Sequence, residues 1–530
     1  LNEKQKEELK KTNEELSVLG LKFGDNLLAE INQYQLVIDK KENLAGLPES
    51  VIEAAAMTAK EKGMEGKWIF TLQNPSVIPF LQYSSVPELR AEIQKAYINK
   101  GNNNNEYDNK EVIKKLISLR LKKANLLGYP SHAAYVLEEN MAVNADNVMK
   151  LLNQIWTAAL PNAIKEKETY QKMMKADGIN TPLTAADWRY YTEKVRKEKY
   201  SLDEEMLKPY FKLENVRQGI FDVSNKLYGL SFKPLANAPK YHPDAEAYEV
   251  TDEKDSLVAV LYLDYFPRAS KRGGAWMSEY RSQYMKDGKR VCPIDTLNCN
   301  FTRPTETAPS LLTWDEVTTF FHEFGHALHG MLSQCNYYTT SGTSVARDFV
   351  ELPSQVLENW AGEPEVLKSY AKHYLTGEVI PDELIQKMSA TEHFNQGFAT
   401  VEYLAAAILD MNWHTLTTDT IKDVLAFETK VLGNIGLIPE IVSRYRSTYF
   451  QHIFGGGYSS GYYSYLWAEV LDADAYDAFK EKGIFDKTTA DSFKNNVLSK
   501  GYSAPPMTLY KNFRGREPEI TPLLKRKGLL

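Results

Sequence analysis

Apolar residues recur near helical spacing over most of the chain. In residues 1–40, Leu9, Leu16, Leu19, Phe23, Leu27 and Ile31 lie among many charges, a pattern that predicts a long amphipathic surface helix. Helical stretches follow between breaks at Leu47-Pro48, Asn74-Pro75, Gly101 to Asn105, Gly128-Tyr129-Pro130 and Asp177-Gly178. The Asn102 to Asn105 run reads as a solvated loop tip. Near residue 245 the pattern changes. The run from Leu257 to Leu263 is short, apolar and partly β-branched, and Val291 to Thr302 offers a second strand, so a small sheet is expected. Thr313-Trp314-Asp315-Glu316 then forms a capping box that starts a helix at Trp314. The remainder is helical, broken at Pro381, at Gly455-Gly456-Gly457 and at Pro505-Pro506. The pattern gives a mainly α fold in three stretches: 1–244 helical, 245–312 β-rich, and 313–530 helical.

A chain of 530 residues is too long for one compact core, so two or three lobes with a cleft between them are expected. With 43% hydrophobic and 25% charged residues, the composition is that of an ordinary folded protein. A net charge of -7 provides no broad basic field, which argues against nucleic acid or an anionic membrane as the main partner. No apolar run reaches membrane-spanning length. Cys292, Cys299 and Cys335 form neither a CxxC pair nor a disulfide framework, a usage that fits a reducing compartment. The cytoplasm is therefore expected, or the periplasm if a targeting segment has been removed, since the first residue is Leu and not Met.

The helix begun at Trp314 carries Phe321-His322-Glu323-Phe324-Gly325-His326-Ala327-Leu328-His329. His322 and His326 stand one turn apart, so both imidazoles project toward one point, as two ligands of a tetrahedral zinc require. Glu323 lies about 100° around the helix, where it reaches a water rather than the ion. Three protein ligands are needed for a catalytic site, and the HExxHxxGxxH form is absent. A later carboxylate is therefore expected, and spacing alone leaves Asp348, Glu351 and Glu358 open. His329 is on the ligand face, as a packing histidine or a substrate contact. Tyr458, Tyr462 and Tyr465 sit at helical spacing after the triple glycine, as an aromatic core stripe or as oxyanion donors.

FHEFGHALHG, followed by SGTSVARDFVELPSQVLENW, resembles the M3 family of zinc metallopeptidases. The likeness runs from the first helix through Asp264-Tyr265-Phe266-Pro267-Arg268 to Phe513-Arg514-Gly515-Arg516-Glu517-Pro518. It implies a two-lobed, largely helical zincin of the neurolysin-like gluzincin kind, with a deep cleft and a small sheet beside the metal helix. It implies one Zn2+ per chain held by His322, His326 and Glu351, Glu323 as general base, Tyr465 and Tyr458 as oxyanion donors, and His452 assisting. Tyr462, His329, Gly456 and Gly457 are the expected substrate contacts, short peptides the substrates, and a monomer the working form. Family members usually carry a further N-terminal helical segment, which is expected to be missing here.

Gly397-Phe398-Ala399-Thr400-Val401-Glu402-Tyr403 and His452-Ile453-Phe454-Gly455-Gly456-Gly457-Tyr458 look like the dipeptidyl carboxypeptidase branch. That implies release of dipeptides from a free C-terminus, for which a cation must bind the terminal carboxylate. Arg268, Lys271, Arg272, Arg444 and Arg446 are the candidates, and a strand at 298–303 is expected to pair its edge with the substrate. The rival readings are an endo-acting oligopeptidase on the same scaffold and a catalytically silent peptide-binding protein.

Overall fold

The computed structural model describes residues 1–529. The first helix runs from Glu3 to Gln33 and ends short of the expected residue 40. Leu36–Ile38 then forms a three-residue strand paired antiparallel with Trp68–Phe70, too brief to leave an alternating pattern in the sequence. Long helices follow at Lys110–Leu126, Ala145–Ala176 and Ala185–Tyr200. No helix among the described residues is long and apolar enough to cross a membrane.

The main sheet has five strands: β1 (Ser231–Pro234), β2 (Glu246–Thr251), β3 (Leu257–Asp264), β4 (Trp276–Arg281) and β5 (Ile294–Asn298). Their order is β1-β2-β3-β5-β4, with β3 and β5 parallel and the other pairs antiparallel. The sheet thus begins before residue 245. β5 lies inside it, flanked on both sides, and ends at Asn298, so the expected substrate-pairing edge at 298–303 does not exist. The exposed edge on that side is β4.

The helix from Trp314 to Met331 lies against this sheet, and its Phe320, Phe321, Phe324, Ala327, Leu328 and Met331 are fully or almost fully buried. Thr313 and Glu316 make the expected capping box reciprocally. The interior is divided. One core joins the sheet to the Trp314 helix and to the segments from Phe349 to Ile385 and Leu471 to Tyr510. A second joins helices of residues 112–195 to the helix Gln396–His414 and to the segment from Phe450 to Leu466. A smaller third core occupies residues 36–93. The two large cores are therefore each assembled from segments on both sides of residue 244.

Candidate active site

His322 and His326 project from one side of the Trp314–Met331 helix, with ring centroids 5.0 Å apart. The second element of the site is the helix Arg347–Ala361. Gly325 lets the two helices touch, because a Cβ there would stand 2.5 Å from the Pro353 carbonyl oxygen and 2.5 Å from Ser354 Cα. Asp348 fixes the second helix from its other side. Its carboxylate accepts the Met141 and Ala142 N–H groups at 2.9 Å each and the Tyr463 hydroxyl at 2.7 Å.

This crossing brings Glu351 Oε2 to 3.2 Å from His322 Nε2 and 3.0 Å from His326 Nε2. One donor atom from each of the three lies within 4.8 Å of the others. Two imidazole nitrogens and a carboxylate oxygen converging at this spacing could hold a divalent cation. Asp348 is not among the donors, being committed to the contacts above. Glu358 accepts from His322 Nδ1 at 2.5 Å, which fixes the tautomer that leaves Nε2 free for a cation. Ser354 Oγ donates to Glu351 Oε2 at 3.1 Å, and the Tyr458 hydroxyl donates to Oε1. Burial would raise the Glu351 carboxyl, but the facing His326 and His322 rings outweigh it and hold it well below the usual range.

Glu323 is 5% exposed, and its Oε2 has no partner. Burial pushes its carboxyl up, against the pull of His322 and His326. A carboxylate so placed can take a proton from a water near neutral pH.

The other wall comes from the second core. After the short helix Gln451–Phe454 and the exposed glycines 455–457, the chain presents Tyr458 and enters the helix Ser464–Lys482. Tyr458 and Tyr465 stack with centroids 5.4 Å apart and planes 7° apart, and Arg347 lies 4.5 Å above the Tyr458 ring. Burial raises both phenols far above neutrality, so they stay protonated donors. His452 lies 5.8 Å from Tyr458 and 6.3 Å from Tyr465 between ring centroids; burial, then the charge of Arg444, bring it down to about 4. It is neutral at pH 7. Gln355 Nε2 donates to the Tyr465 carbonyl at 2.9 Å and so ties the Glu351 helix to the tyrosine helix.

Two expected substrate contacts are packed away instead. Tyr462 is 3% exposed among Tyr403, Phe450 and His452, because its ring completes the aromatic layer below the site. His329 is fully buried with neither ring nitrogen partnered, so it touches no substrate, and burial brings it down to about 3. Gly456 and Gly457 are exposed beside Tyr458, and Gly457 adopts a φ of 87°. Arg347 escaped the sequence reading, although its place one helical turn before Glu351 puts it on the same face.

The model of peptidase family M3 matches residues 80–529. A dipeptidyl carboxypeptidase of Escherichia coli (strain K12) is 39% identical over 527 residues, 99% of this chain and 77% of that protein. Oligopeptidase A of the same organism is 39% identical over 522 residues, 97% of this chain and 76% of its own length. Among solved structures, Pz peptidase A with an inhibitor superposes with a TM-score of 0.55 at 16% identity, covering 91% of this chain and 75% of that one.

Proposed function

The chain belongs to peptidase family M3 and is a metallopeptidase, and from that premise we propose that it is a zinc-dependent peptidyl-dipeptidase releasing dipeptides from the free C-terminus of short peptides. His322, His326 and Glu351 would hold the zinc, a borderline-soft ion suited to two nitrogens and one oxygen. When bound, the ion supplies Lewis acidity, which lowers the pKa of a coordinated water to about 7. Glu323, buried with a free carboxylate oxygen beside the two histidines, is placed to take a proton from an attacking water and to pass it to the leaving amine. The Tyr465 hydroxyl donates to the oxyanion that forms, with neutral His452 beside it, and Tyr458 joins it only by turning its single hydroxyl proton away from Glu351. Tyr458 also holds Glu351 in place.

The observation that carries the exopeptidase reading is Arg444. Of the five cations considered, Arg268 and Lys271 are both bound to the buried Asp264 at 2.8–2.9 Å, and Arg446 is bound to Glu428 at 2.7 Å. Arg272 stacks on Trp276 of β4, at 5.2 Å. Arg444 is half exposed, with only a loose contact of 3.9 Å to Glu402, and is followed by Tyr445, whose ring lies 4.9 Å from that of His452. A half-exposed guanidinium whose charge is felt at His452 suits a terminal carboxylate, bound two residues beyond the scissile bond.

The test is a decapeptide supplied as the free acid and as its C-terminal amide, with products read by mass spectrometry. Successive losses of two residues from the free acid alone are expected. Equal cleavage of both peptides would establish the endo-acting reading instead.

A further inference from the structure

The turn that presents the tyrosines has a shape it would not adopt unaided. Ser460 sits in the left-handed region at φ 55°, three residues after Gly457, and a non-glycine residue keeps such a conformation only where its surroundings fix it. What fixes it is Asp410, on the helix Gln396–His414 and 0% exposed. Its Oδ1 accepts the Ser460 N–H at 2.9 Å, and its Oδ2 accepts the Tyr462 N–H at 2.9 Å. The turn between Tyr458 and Tyr465 is thus pinned to one carboxylate.

That carboxylate is itself oriented. His414, one helical turn later, lies 2.7 Å from Asp410 Oδ1 through Nδ1, and its Nε2 lies 2.8 Å from an Arg120 nitrogen. A guanidinium can only donate, so Nε2 accepts and the ring proton is on Nδ1, aimed at Asp410. A chain of hydrogen bonds therefore runs from Arg120 through His414 and Asp410 to the tyrosine turn. His132 Nε2, 2.9 Å from Ser459 Oγ, steadies the same turn from the short helix His132–Leu137. None of these contacts touches His322, His326 or Glu351.

We propose that Asp410 is the positioning residue for the catalytic tyrosines, setting the turn so that Tyr458 and Tyr465 stack against the metal site. It acts through the tyrosines and makes no contact with substrate. The inference rests on the hydrolase reading above, and wild-type turnover is measured first, so that a failure of that reading is seen separately.

Asp410→Asn is the informative change. With its carbonyl at the Oδ1 position the amide keeps Ser460 and His414, but its NH2 then faces the Tyr462 N–H. kcat is expected to fall about 10- to 100-fold, with KM and metal content nearly unchanged. In a background where Tyr458 and Tyr465 are both Phe, the same change should cost less than about threefold, because its route is already removed. In metal-free protein, amide hydrogen exchange across residues 455–463 should accelerate. An equal loss of kcat in both backgrounds, or unchanged exchange in that segment, overturns the proposal. Should Asp410→Asn fail to fold, His414→Leu, which removes the donor to Asp410 together with the acceptor for Arg120, is put through the same comparison with the same two criteria.

Discussion

Gly325 and Pro353 meet backbone to backbone: the Cα of the one faces the carbonyl of the other so closely that no side chain fits between them. The metal site depends on this contact, because it sets the height at which Glu351 reaches the two histidines. Gly325→Ala is therefore expected to push the helices apart, lowering stability by about 1–3 kcal/mol and weakening metal retention. Thermal unfolding and competition with a chelator measure the two effects.

Glu323→Gln should keep the metal, since Glu323 is not one of the three donors, yet lose turnover. A fall in kcat on the order of 10²- to 10⁴-fold is expected from removing a general base. Metal analysis beside a peptide-cleavage assay separates the two properties, and a variant with wild-type kcat would mean another group takes the proton.

Arg444→Met should lower kcat/KM for peptides with a free C-terminus about 10- to 100-fold, the usual weight of one charge-assisted hydrogen bond. Residual cleavage of the C-terminal amide should stay unchanged. A uniform loss on both substrates would make Arg444 a packing residue.

Asp295 of β5 is fully buried opposite Glu279 of β4, and neither of its oxygens has a partner. Burial, then the Glu279 charge, raise its carboxyl well above the ordinary value despite Arg290. The folded protein thus holds this proton at pH values where the unfolded chain has released it. Stability from this group is complete below the unfolded pKa near 3.9 and declines as pH rises, by at most about 1.4 kcal/mol per unit. Asp295→Asn removes that decline, so its advantage over wild type should be small at pH 4.5 and larger at pH 7.5. Denaturant midpoints at the two pH values check it.

The metal helix was legible because its signals are local: a capping box at Thr313 and Glu316, and two histidines one turn apart. Glu351 was not legible from spacing, because its position depends on a crossing that Gly325, Pro353 and Asp348 define and no periodicity records. The tyrosines read equally well as core, and for Tyr462 that plainer reading holds. Asp410 left no signal at all. Its partners are backbone N–H groups 50 and 52 residues away, and its nearest marker, His414 one turn on, resembles any helical pair. The Asn102 to Asn105 run, read as a solvated tip, turns back through Asn103 and Asn105 to clasp the Glu30 carboxylate. The family resemblance supplied the choice of Glu351, which local pattern lacked.

Interleaving of the cores has a practical meaning for anyone cutting this molecule. A fragment ending at residue 244 would keep the Lys110–Leu126 and Ala145–Ala176 helices but lose Val401, Leu404, Ile408 and Phe450, which share a core with them. The complementary fragment would carry every metal donor while lacking Phe211, Val216 and Ile220 beneath the sheet. Neither piece contains either of the two large cores complete, so hydrolysis should reappear only when the two are refolded together.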